Sequence, residues 1–145
     1  MVNSALETLH SLNSSGEKGK SMTPGSALFC LALNIYHEAR GEPKSGQIAV
    51  AMVTMNRAKW TQGDVCEVVY ERGQFSWTHS KRAPTPQEPR AWKKAQAIAK
   101  DVIDGDHHDI TLGATHFHSH RVRPDWIREF EKTVRIGDHI FYAQK

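Results

Sequence analysis

The sequence predicts a single α+β domain, mainly helical with a small antiparallel β element. Apolar residues recur at helical spacing in long stretches between residues 23 and 104, whereas the chain beyond Asp109 switches to short alternating runs. At 145 residues and 39% hydrophobic, the chain has material for one core, and no internal repeat divides it. Residues 1–25 are expected to form a flexible or loosely docked arm, with an apolar patch at Leu6, Leu9 and Leu12 before the polar, glycine-containing run Ser14 to Lys20. The folded domain is then 26–145.

Thr23-Pro24 predicts the start of the first long helix, Thr as N-cap and Pro in the first helical position, running to about Arg40 with Leu28, Leu31, Ala32 and Ile35 as its inward stripe. Gly41 and Glu42-Pro43 stop it. A second helix is expected from about Ser45 to Lys59, with Ile48, Ala49, Ala51, Met52 and Met55 packing on the first, the methionines as core filler. Asp64 and Glu67 have the spacing of a capping box, which predicts a short helix from Val65 to Tyr70. Residues 72–77 read as an irregular strand or loop, and Lys81 to Pro89 as an exposed connection. Thr85-Pro86-Gln87-Glu88 caps a third long helix reaching Asp104, closed by Gly105. Asp109 to His118 reads as a short strand, Pro124 to Phe130 as a turn of helix, and Val134 to Tyr142, alternating around Gly137-Asp138, as a small hairpin or strand packing the C-terminus back onto the helices.

Bulk charge narrows the function little. Lys and Arg outnumber Asp and Glu by 19 to 16, a mild excess with no clustered basic run, which disfavours a nucleic-acid binder. No span approaches the length of apolar residues needed to cross a membrane, and residues 1–25 lack the pattern of a secretory signal. A chain made in the cytoplasm and acting elsewhere only after release is therefore expected. Cys30 and Cys66 make no disulfide framework and are expected as buried thiols.

One residue breaks the pattern. Glu38 follows Ile35 by three and Leu31 by seven, so it points inward on the last turn of the first helix, where the buried stripe opens towards a surface. A carboxyl between apolar walls and a cleft has its pKa raised, as a general acid near neutral pH requires. An inward Glu paired with Arg40, Arg57 or another Arg would occupy the same place. His37-Glu38 opens a zinc-protease signature, but Gly41 stands where the second histidine should be. His116, His118 and His120 share one face of a strand, which suits either a metal or a polysaccharide cleft; with no carboxylate or cysteine at ligand spacing beside them, no metal and no cofactor is assigned. Gln74, Phe75, Ser76 and Trp77 combine an amide, a hydroxyl and two aromatic faces, the mixture that sugar sites use.

The run Asn34-Ile35-Tyr36-His37-Glu38-Ala39-Arg40-Gly41-Glu42, followed by Gly46-Gln47-Ile48-Ala49-Val50-Ala51 and Asn56-Arg57, resembles the catalytic core of the SleB/CwlJ-type cell wall hydrolases, the spore-cortex-lytic family. Gly73 to Trp77, Ala114 to His118, Val122 to Trp126 and Arg135 to Tyr142 resemble later segments of that family in the same order. The resemblance implies a lysozyme-like fold and cleavage of peptidoglycan glycan strands between N-acetylmuramic acid and N-acetylglucosamine, with Glu38 as the essential acid. It further implies a cleft with Gln74, Phe75, Ser76 and Trp77 on one side and Thr115, His116 and Tyr142 on the other. Since no partner carboxylate is evident, a lytic transglycosylase is expected, with hydrolysis assisted by Glu42 as the alternative. A monomer of this kind looks like a bacteriophage endolysin. A glycan-binding module without turnover and a zinc amidase are the rival readings.

Overall fold

The computed structural model describes residues 21–71, 76–79 and 85–145. The expected arm lies mostly outside them, as do Gln74 and Phe75. Helix α1 spans Ala27–Ala39. It begins later than the Thr23-Pro24 signal because Gly25, at φ +90°, turns the chain there, and Ser26 supplies the cap by accepting a hydrogen bond from the Phe29 N–H at 3.1 Å. Helix α2, Lys44–Arg57, starts directly after Pro43. A short 3-10 turn, Gln62–Asp64, leads into α3, Val65–Val69; Asp64 sits in the helical region and makes no side-chain cap, so the expected capping box is not formed.

Helix α4, Pro89–Ile103, also begins later than its Thr85 signal. Pro89 disfavours helical backbone at Glu88, and the preceding extended segment is held instead by the buried Tyr36 hydroxyl, which accepts from the Gln87 and Glu88 N–H groups at 3.0 Å each.

Helices α1, α2, α3 and α4 enclose the main core. Leu31, Ile35, Ala32 and Met52 have no exposed surface, and full burial of each larger side chain contributes about 1.5–3 kcal/mol. Asn34 crosses this core to donate to Thr54 Oγ1 at 3.0 Å. Cys30 and Cys66 are not free thiols: they form a disulfide joining α1 to α3, their Cα atoms 5.3 Å apart. Their separation of 36 residues gave no hint of pairing, because the contact depends on how α3 docks across α1.

The β element is a three-stranded antiparallel sheet of β1 (His116–Ser119), β2 (Phe130–Ile136) and β3 (His139–Gln144), in the order β1-β3-β2. The expected strand from Asp109 is thus confined to its last residues. Asp109 instead builds a turn, its carboxylate accepting from the Thr111 and Gly113 N–H groups and from Asn56 of α2. Helix α2 separates the two halves of the molecule: its Ala49 and Val53 pack with Ala114 and Phe141 in a second, smaller core beneath the sheet. The β2–β3 turn is tied back to the end of α1 by Glu42, whose Oε1 accepts from the Asp138 N–H at 2.9 Å.

Candidate active site

Glu38 stands on the last turn of α1, and the sheet faces it across a cleft of about 400 Å³. Val53 of α2, Thr115 to Ser119 around β1, Val122, Trp126 and His139 complete the lining. Neither Arg40 nor Arg57 pairs with Glu38. Arg40 reaches Glu88 at 2.7 Å, and Arg57 reaches Glu71 at 2.7 Å. Among the described residues the Glu38 carboxyl has no hydrogen-bond or ion-pair partner, and burial alone raises its pKa from 4.5 to about 7.

Two histidines of the opposite wall, His116 and His139, have their pKa values lowered. Arg57 can only donate, so its contact with His116 Nε2 at 3.2 Å makes that nitrogen the acceptor, leaving Nδ1 to donate to Thr115 Oγ1 at 3.0 Å. Burial, aided by the Arg57 guanidinium, pushes the His116 pKa below its ordinary value. Burial likewise lowers that of His139, outweighing the opposing pull of Glu42 and Asp138. A cationic imidazole in either place would draw the Glu38 pKa back down.

Aromatic packing fixes the wall. His116 lies 4.1 Å from the Phe130 ring centroid and 5.2 Å from that of Trp126. His118 stacks on Tyr142 at 5.3 Å, and its Nε2 meets the Tyr142 hydroxyl at 3.0 Å. The histidine row is therefore engaged with aromatic rings, Arg57 and Tyr142, and no group of three or more His, Cys, Asp or Glu is placed to hold a metal among the described residues.

The structure brings Thr115 and His116 to the cleft with Glu38, and places Tyr142 behind His118 in the adjoining groove. Trp77 stands apart from this lining; it packs against His37 at 4.6 Å and Tyr70 at 5.8 Å. Ser76 opens the 3-10 turn Ser76–His79. Glu42 is engaged at the hairpin turn rather than in the cleft lining. Val53, His139 and Trp126 were not singled out as site residues. His139 reaches the cleft only through the pairing of β3 with β1, opposite Ser119, whereas the alternation of His116 and His118 was a signal visible in the sequence.

A carboxylic acid at the end of a buried helix, facing a small antiparallel sheet across an aromatic-walled cleft, places the molecule in the lysozyme-like α+β class. The chain belongs to the cell wall hydrolase family, whose model matches residues 41–142. It is similar to the spore cortex-lytic enzyme of Halalkalibacterium halodurans, 34% identical over 115 residues, which cover 77% of this chain and 33% of that protein. It is also similar to that of Bacillus subtilis, 32% identical with 77% and 35% covered. The chain thus spans about a third of the length of these curated relatives. Among solved structures it is similar to the catalytic domain of the germination-specific lytic transglycosylase SleB from Bacillus anthracis, with a TM-score of 0.66, 30% identity, and 81% of this chain and 93% of that one covered. The catalytic domain of the Bacillus cereus SleB protein gives a TM-score of 0.63 at 30% identity, covering 81% and 89%.

Proposed function

We propose that this protein degrades peptidoglycan as a lytic transglycosylase, cutting the bond from N-acetylmuramic acid to N-acetylglucosamine with Glu38 as sole acid and base, and that it acts as a monomer at the bacterial wall in an endolysin-like role. The observation that carries the reading is the isolation of Glu38: it is the only carboxylate among the described residues lining the cleft. In the proposed reaction the protonated Glu38 gives its proton to the glycosidic oxygen, and the C1–O bond breaks to leave an oxocarbenium-like muramic acid. The resulting carboxylate takes the proton from the sugar's own 6-hydroxyl as O6 bonds to C1. A 1,6-anhydro ring closes, no water is consumed, and Glu38 is returned protonated. A pKa of about 7 suits a group that serves as acid and then as base near neutrality.

The alternative, a hydrolytic muramidase, needs a second carboxylate to hold water. Glu42 is bonded to the hairpin turn and Glu71 to Arg57. Mass spectrometry of soluble products from purified peptidoglycan, using the wild-type protein and Glu38→Gln in parallel, separates the readings. Muropeptides with 1,6-anhydro ends, absent with Glu38→Gln, are expected. Reducing muramic acid ends would favour the muramidase, and equal products from both proteins would reject the role of Glu38. Gln74, Phe75, Ser76 and Trp77 are proposed to contact the glycan, as are Thr115, His116 and Tyr142 from the sheet.

A further inference from the structure

The cleft over Glu38 continues past β1. His118 and Val122 line both it and a more open groove of about 620 Å³ on the far side. Arg121, Arg123, Arg128 and Lys132 line that groove, and among the described residues no acidic side chain does. All four are exposed, and the ion pairs of the described residues lie elsewhere. The one link nearby joins His120, at the groove's edge, to Asp138 at 3.7 Å. Asp125 sits in the neighbouring depression beside Arg123 and Arg128. The extension at the other end of the cleft, beyond Thr115 and His116, is built differently, because its Arg57 is already neutralised by Glu71.

Gathering four cations that have no ion-pair partner among the described residues along one groove raises the local potential and attracts anions, and guanidinium forks match carboxylates in particular. The groove opens directly from the glycan cleft, so its occupant is best sought on the same strand. Peptidoglycan carries such a group: the peptide stem leaves the lactyl arm of muramic acid and bears several carboxylates.

We propose that Arg121, Arg123, Arg128 and Lys132 form a binding site for the carboxylates of the peptide stem on the muramic acid held in or next to the cleft. The site makes the enzyme selective for stem-bearing over stem-free glycan. Ile127 and Ile140, on the same groove, offer apolar surface to the aliphatic parts of the stem. This proposal rests on the peptidoglycan reading above.

The test uses the full chain carrying Glu38→Gln, so that binding is read without turnover, and purified glycan strands with stems intact or removed by an amidase. Stems are expected to strengthen binding about tenfold at low salt, the scale of one or two charge-assisted hydrogen bonds. Adding Arg123→Gln and Arg128→Gln should bring binding to stem-bearing strands down to the stem-free level while leaving stem-free binding unchanged. Equal binding of both strands before those changes, or an equal loss on both after them, would overturn the proposal. Failure of the underlying reading appears separately, as wild-type protein that releases no glycan fragments from either strand.

Discussion

Glu38 owes its raised pKa to burial and not to a neighbouring charge, and this has consequences for both stability and rate. The unfolded chain ionises this carboxyl near 4.5, while the folded protein holds the proton to about 7. Between those values the unfolded state has released a proton that the folded state retains, so stability is highest below the lower value and is lost as pH rises through the upper one. The loss levels off above pH 7 at up to about 3 kcal/mol. Glu38→Gln keeps the shape and removes the titration. Urea denaturation should therefore show it more stable than wild type by about 2–3 kcal/mol at pH 8 and equal to it at pH 4; no gain at pH 8 would mean that the carboxyl is not held out of water. In the proposed reaction, which starts from the protonated acid, activity should decline as pH rises above 7 even where the protein stays folded. At this scale the sequence was informative. The inward position of Glu38 followed from its spacing to Leu31 and Ile35, but the absence of an Arg partner did not, because Arg40 and Arg57 are drawn away by Glu88 and Glu71, which lie far along the chain from Glu38.

At the scale of elements, the end of α1 is linked to the β2–β3 hairpin through Glu42. Gly137 is at φ +60°, and a Cβ there would stand 2.1 Å from Glu42 Oε1, so both the backbone and the Glu42 bond to Asp138 need glycine. Gly137→Ala should cost about 2–4 kcal/mol, from left-handed strain and the lost charged hydrogen bond, measured by thermal or urea unfolding. Glu42→Ala removes the same bond, so the double variant should cost clearly less than the sum of the two. Additive losses would show that the two residues act independently. The hairpin about Gly137-Asp138 was legible from its alternation and turn residues, and so were all three long helices. Their starts were less so: at α4 the extended segment before Pro89 is stabilised by Tyr36 from another helix, which outweighs the local Thr85-Pro86 signal.

For the whole molecule, the Cys30–Cys66 disulfide staples the helix that carries Glu38 to α3. Closing a 36-residue separation restricts the unfolded chain, and reduction should lower stability by about 2–4 kcal/mol, or roughly 10 °C in Tm, read from melts with and without dithiothreitol. An unchanged Tm would mean that the bridge is not formed in solution. The sequence by itself determined the class of fold, the helical register that turns Glu38 inward and the residue types of the β1 wall, because periodicity and Gly, Pro and cap residues act within a few positions of each other. Only the tertiary structure decided that Glu38 faces His116 and His139, whose pKa values burial lowers, with no second carboxylate among the described residues lining the cleft. The same holds for the pairing of Cys30 with Cys66 and for the opening of the cleft into a row of cations without ion pairs among the described residues. Each of these depends on which distant residues meet when α1, α2 and the sheet dock, and docking is set by the packing of whole faces rather than by any local run of residues.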